Sequence, residues 1–278
     1  MFRRIVIVTA GLAAAAPAAA QTGLLVVAHG AGVEWNARVR ETVALVQWPR
    51  GPVALAFLMG AEAVTAGWDQ AVDSLLAGAV TSIVVVPLMV SSHGGHFREI
   101  EYYAGARDSL SGGHHDVRHR PPPVPTRVTR ALDGAAELGV VLRDRWQALD
   151  AADRSRPAVL VAHGPSEERE VAPWMADLTT AAAGLREVGL RRELRVALLR
   201  DDAPPPVRAA AVALLRDTVR ALSAGRDSVL VLPILVSSSS ITSVKIPGDL
   251  AGLPVRYVPT PLAPHPALAR WIERSAER

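Results

Sequence analysis

The sequence predicts an α/β protein of two tandem domains, each a parallel sheet flanked by helices, related by a pseudo-two-fold duplication. Three observations predict it. Short apolar runs rich in β-branched residues, such as Leu24–Ala28 and Ile83–Val86, lack a helical period and read as strands buried on both faces. Segments with helical spacing alternate with those runs, as parallel βαβ units require. The whole series then repeats: Ala158-Val159-Leu160-Val161-Ala162-His163-Gly164 restates the opening strand and its His29-Gly30 turn, and Leu230 to Ser238 restates Val84 to Ser92, including the proline and the serine pair.

With 278 residues, half of them apolar, the chain has material for two cores. Cysteine is absent, which excludes thiolate zinc sites, iron–sulfur clusters and disulfide frameworks. A protein-bound metal must therefore use His, carboxylate, Met or backbone oxygen. The formal charge of +3 is carried almost wholly by arginine, with Lys245 the only lysine; guanidinium suits planar carboxylate or phosphate recognition. No long basic run or aromatic-rich basic stripe points to nucleic acid.

The first residues have their own reading. Arg3 and Arg4 precede an apolar stretch, Ile5 to Ala16, and Ala18-Ala19-Ala20 makes a small-residue cleavage signal before Gln21. We read residues 1–20 as a signal peptide, leaving 21–150 and 151–278 as the two domains of a periplasmic or secreted protein. The competing reading is a buried first element or an uncleaved anchor, for which the stretch is short and Pro17 ill placed. Cleavage removes two arginines, taking the formal charge from +3 to +1 (3 − 2), and leaves no stable membrane insertion.

In chain order, Leu24–Gly30 is a strand ending in a His-Gly turn, and Val33–Val46 has helical spacing until Pro49-Arg50-Gly51-Pro52 breaks it. Val53–Met59 is the second strand and Trp68–Leu76 the second helix. The central strand from Ile83 runs into Ser91-Ser92-His93-Gly94-Gly95-His96, and Phe97 opens a helix. A Gly-, His- and Pro-rich connector, Ser111–Pro125, precedes a short strand near Val128 and a helix over Leu132–Leu149. The second half offers a helix over Trp174–Val188, a strand at Leu194–Leu199, a helix over Val207–Leu222, the strand from Ser228, a strand at Val255–Val258, and a closing helix from Pro266.

Ligands of open α/β sheets gather outside the carboxyl ends of strands. The loop from Ser91 to His96 lies there, and two imidazoles beside glycines that admit close backbone approach make a candidate metal site. The halves are chemically unequal. Laying Pro87 on Pro233 sets Ser239 opposite His93 and Thr242 opposite His96, so the second half keeps His163 but has a degenerate loop.

A strand ending in His-Gly, an apolar Val-Val-Pro-Leu strand and a small-residue loop with Gly-His, all repeated, resemble the class II tetrapyrrole chelatases of the sirohydrochlorin cobaltochelatase and ferrochelatase type. The resemblance spans the chain from Leu24 to the last helix. It implies two chelatase-like domains and ATP-independent insertion of a divalent ion, Co2+ or Fe2+ with Ni2+ as a further candidate, into a cyclic tetrapyrrole such as sirohydrochlorin, as in cobalamin or sirohaem biosynthesis. The metal is a substrate, and no nucleotide takes part. It also implies His29 and His96 as the metal-binding pair. Imidazole suits late divalent metals and exchanges protons near neutral pH. Insertion expels two pyrrole protons, for which His93 and Glu99 are candidate acceptors; Glu101 also follows the loop, and Glu62 sits after the second strand. Ser91, Ser92, Gly94, Gly95 and Arg98 are candidates for holding the macrocycle. Two departures from the family pattern stand out: Phe57-Leu58-Met59 where the family often has Phe-Leu-Glu, and no proline after Ile100.

Each residue also has a plainer reading. His29 and His163 could be strand-end histidines bonding a backbone carbonyl. His93 could be a third ligand, a proton acceptor or a solvated loop residue. His114, His115 and His119 read as a solvated connector or as metal capture. Trp35, Trp68 and Trp174 could flank a macrocycle or pack in the core. The fused halves make a cleft without a second chain, so a monomer is expected. A rival functional reading is an exported metal or tetrapyrrole carrier without turnover.

Overall fold

The computed structural model describes residues 20–110, 121–190, 192–224 and 228–278. The first half contains β1 (Thr22–Ala28), α1 (Val33–Val43), β2 (Val53–Phe57), α2 (Trp68–Ala77), β3 (Ser82–Pro87), α3 (Gly95–Tyr103), β4 (Thr126–Val128) and α4 (Ala136–Gln147). Its strands form a parallel sheet in the order β2-β1-β3-β4. A short α5 (Ala151–Arg154) leads to the second half: β5 (Ala158–Ala162), α6 (Val171–Glu187), β6 (Leu194–Leu198), α7 (Pro205–Leu222), β7 (Val229–Ile234), α8 (Ile246–Asp249), β8 (Val255–Tyr257) and α9 (Pro266–Glu277). Its sheet is again parallel, in the order β6-β5-β7-β8. The expected α/β duplication is thus present in topology as well as in sequence.

Strand alternation sorts the apolar residues into three cores. Leu24, Val26, Val84 and Val86 of the first sheet face the same interior as Leu160, Leu230, Leu232 and Ile234 of the second. Between them lie apolar faces of α1, α4, α6 and α9, including Leu138, Trp146, Leu178 and Trp271. Leu25, Val27 and Val85 point the other way, onto Trp68, Leu75 and Tyr103. Val159, Val161 and Val231 likewise face Leu215, Val219 and Ile246. Both faces of each sheet are covered, which explains why the strands read as unbroken apolar runs. Truncating a fully buried tryptophan such as Trp146 to Ala costs about 3–5 kcal/mol.

Element ends differ from the sequence expectation for local reasons. The helix expected from Leu132 starts at Ala136, because Asp133 and Gly134 adopt left-handed φ values of 45° and 71° and turn the chain first. The helix expected to Val46 stops at Val43. That expected from Trp174 begins at Val171, with Pro173 in the first turn, where a missing N–H costs nothing. Helix α5 was not expected. Asp150 caps it, accepting a hydrogen bond from the Asp153 N–H at 2.7 Å. Where the first half has α3, the second has a π-turn over Ile241–Lys245 running into α8. The signal-peptide reading falls, except for Ala20, outside the described residues, as do His114, His115 and His119. No helix among the described residues is long and apolar enough to cross a membrane.

Candidate metal centre

The loops following the central strands of both sheets meet at a cleft of about 370 Å3. His29, His93 and His96 line it from the first half, His163, Asp202 and Lys245 from the second. Trp35 and Trp174 also line it, whereas Trp68 packs on Tyr103 in an outer core. Apolar side chains such as Leu88 and Leu235 complete the walls, a surface suited to a flat apolar ring.

His29 follows β1 directly, and the next residue dictates its orientation. Gly30 has φ 82°, and a Cβ there would lie 2.3 Å from the Met59 carbonyl oxygen, so only glycine fits the turn. The turn aims the Gly30 carbonyl at His29 Nδ1, 2.6 Å away. A carbonyl only accepts, so Nδ1 carries the proton and the lone pair sits on Nε2. Burial, and then the neighbouring His96, lowers the His29 pKa below the usual imidazole value. The neutral, ligating form is favoured.

His96 occupies the first turn of α3. Its Nδ1 lies 3.1 Å from Glu99 Oε2, one turn along the helix, which again assigns the proton to Nδ1 and the lone pair to Nε2. The Tyr103 hydroxyl donates to the other Glu99 oxygen. Burial, reinforced by the Glu99 carboxylate, pushes the Tyr103 phenol up, so it stays a donor. Tyr103, Glu99 and His96 form the relay that commonly orients a histidine ligand. The rings of His29 and His96 meet edge to face with centroids 4.7 Å apart.

The remaining predicted residues divide by role. Ser91, Gly94 and Gly95 line the cleft. Ser92 does not: its N–H and hydroxyl donate to the two Asp133 carboxylate oxygens, and its Oγ accepts from the Ala131 N–H at 2.8 Å. It ties the loop to the turn before α4. His93 lines the cleft but turns Nε2 toward Arg130 at 3.3 Å and Asp177 at 3.8 Å, while Trp174 Nε1 donates to its carbonyl. Arg98 is directed away from the cleft. It pairs with Glu167 and Glu170 of the second half, so its charge clasps the two halves together. Glu62 pairs with Arg40 at 2.6 Å and Glu101 with Arg107 at 3.0 Å; neither lines the cleft.

Sequence reasoning kept His163 as structural or substrate-facing and missed the two carboxylates beside it in the second wall. His163 repeats the His29 geometry, its Nδ1 3.0 Å from the Gly164 carbonyl. Asp201 and Asp202, just beyond β6, stand beside it. The signal was present: Ala28 pairs with Phe57 and Ala162 with Leu198, which sets Asp201 and Asp202 opposite Gly60 and Ala61 in the repeat.

Residues 23–149 match the CbiX family model. That CbiX match takes in His29, His93, His96 and Glu99 and ends before the second half. SirB from Bacillus subtilis with Fe3+ superposes with a TM-score of 0.58 at 18% identity, over 92% of this chain and 94% of that one. CbiX described as the terminal enzyme for biosynthesis of siroheme in denitrifying bacteria gives 0.55 at 20% identity, over 92% and 98%. DR2241 from Deinococcus radiodurans, a multi-domain protein with structural similarity to chelatases and two additional novel domains, gives 0.58 at 18% identity, over 92% of this chain and 55% of that one. No curated protein matches the chain in sequence. The CbiX match covers the first half, and the likeness in fold extends over both.

Proposed function

We propose that the protein is a chelatase inserting a divalent ion, Co2+ or Fe2+, into a cyclic tetrapyrrole such as sirohydrochlorin without a nucleotide. The observation carrying this reading is the pair of imidazoles with centroids 4.7 Å apart, each holding its Nδ1 proton on an acceptor behind it. His29 and His96 bind the incoming ion through Nε2, and the macrocycle lies in the cleft against Trp35 and Trp174. As the metal–nitrogen bonds form, the two pyrrole N–H bonds break and their protons leave; no electron is transferred. His93 lines the same cleft and takes the protons one at a time, turning from Arg130 to do so and releasing each past Asp177 to solvent before the next. Residues 1–20 direct export, and the fused chain works as a monomer.

The test is the decay of the metal-free sirohydrochlorin bands on addition of Co2+. Turnover by the wild type, reduced to the uncatalysed rate in His29→Ala and His96→Ala, is the expected result. Stoichiometric binding without turnover replaces this reading with that of a carrier. Mass spectrometry of the protein recovered from the periplasm checks export, with Gln21 expected as the first residue.

A further inference from the structure

We infer that the second half carries a metal position of its own, in which His163 and Asp202, backed by Asp201, take a divalent first-row cation at the opposite wall of the cleft. The donor atoms of His163, Asp201 and Asp202 lie within 4.8 Å of one another. Three donors about 2.1 Å from a shared ion stand roughly 3.0–3.6 Å from one another, so the cluster closes by about 1 to 2 Å at its widest pair to hold one, a movement within reach of side-chain rotation. The Gly164 carbonyl holds the Nδ1 proton of His163, which leaves the lone pair on Nε2, 3.5 Å from Asp202 Oδ2. All three residues line the cleft that His29 and His96 share.

Its chemistry differs from that of the first wall. One imidazole and two carboxylates form a harder, more negative donor set than two imidazoles. The Asp202 side chain is 49% exposed, open to an arriving hydrated ion. Asp201 is mostly buried and already bonded by Lys245 at 2.5 Å and Arg208 at 3.1 Å. The ammonium of the chain's only lysine thus stands where an ion would draw on the same carboxylate, and the two cations compete. Such a position suits capture and release better than permanent retention. Its role as the place from which an ion passes to His29 and His96 rests on the chelatase reading; its existence does not.

Equilibrium dialysis of the full chain against CoCl2, with the visible Co2+ bands recorded, tests it. Two ions are expected to bind the wild type and one to remain in the His29→Ala/His96→Ala variant. Asp202→Asn and His163→Ala/Asp202→Asn are expected to lose that remaining ion, with the far-ultraviolet circular dichroism unchanged. Lys245→Met, placed in the His29→Ala/His96→Ala background, is expected to tighten it about 10-fold, the scale of outer-shell changes at metal sites. A single ion in the wild type that disappears with His29 and His96 would mean that His163 and Asp202 are an ion pair only. A single ion that disappears with His163 and Asp202 instead would uphold this position and remove the metal site assigned to the chelatase.

Discussion

The loop after β3 and the loop after β7 are copies of one design held in place by different means. The first is tied outward: Ser92 bonds Asp133, itself in a left-handed turn, and Arg98 reaches across to Glu167 and Glu170. The second adds a closure of its own: Thr242 Oγ1 accepts from the Ser239 N–H at 2.9 Å and donates to the Ser239 carbonyl at 2.8 Å, while Ser237 reaches the Trp35 carbonyl at 3.2 Å. In the copy that binds its anchors elsewhere, His96 projects into the cleft. In the other copy, Thr242 takes the equivalent place and its hydroxyl is consumed by the loop. The two copies therefore separate two tasks that one loop would otherwise share, presenting an imidazole to the cleft and closing a turn.

The comparison breaks most completely if the two positions are interchangeable. His96→Thr, which gives the first loop the residue of the second, is expected to abolish Co2+ insertion; retained turnover in the sirohydrochlorin assay would show that the loop histidine is dispensable. The clasp comes next. Arg98→Ala leaves Glu170 buried without its guanidinium, and urea denaturation is expected to show a loss of about 3 kcal/mol, because breaking a largely buried pair strands a charge. Glu99→Gln removes the charge behind His96 but keeps the shape. A 10- to 100-fold loss in Co2+ affinity or turnover, with an unchanged urea midpoint, is expected if Glu99 positions the ligand; a urea midpoint that falls along with the affinity would place the effect in packing instead.

The smallest effect concerns the end of the second half. His265 caps α9, its Nδ1 accepting from the Ala267 N–H at 3.1 Å while Nε2 lies 3.2 Å from Asp144. Burial outweighs Asp144 and lowers its pKa below 6.5. A depressed pKa means that the unfolded chain takes up the proton first. The stability tied to neutral His265 is therefore fully present above pH 6.5 and is lost as pH falls through the folded value. The thermal midpoint is expected to fall on acidification by the equivalent of about 1 kcal/mol, the usual worth of such a cap. His265→Asn, which caps without titrating, should flatten that slope.

Much of this was legible in the sequence because it depends on neighbours along the chain. The apolar runs, the His-Gly turns and the Pro87 and Pro233 repeat are local signals, and they located both sheets as well as His29 and His96. What could not be read depends on packing between segments far apart in sequence. Arg98 was a candidate for a ligand carboxylate, and only the docking of α6 brings Glu167 and Glu170 to it. Glu99 suggested a proton acceptor, yet α3 folds it under His96 and against Tyr103. Asp201 and Asp202 were readable from the repeat register, but attention to histidines passed over them.

The two imidazoles of the first wall also differ in how their orientation tolerates change over generations. His29 is oriented by the carbonyl of Gly30, a main-chain atom that no substitution deletes so long as the glycine stays. His96 depends on the Glu99 side chain, which one base change can alter. Drift therefore leaves one donor fixed and the other adjustable. On the chelatase reading proposed above, a lineage could retune metal preference at Glu99 while His29 keeps its orientation.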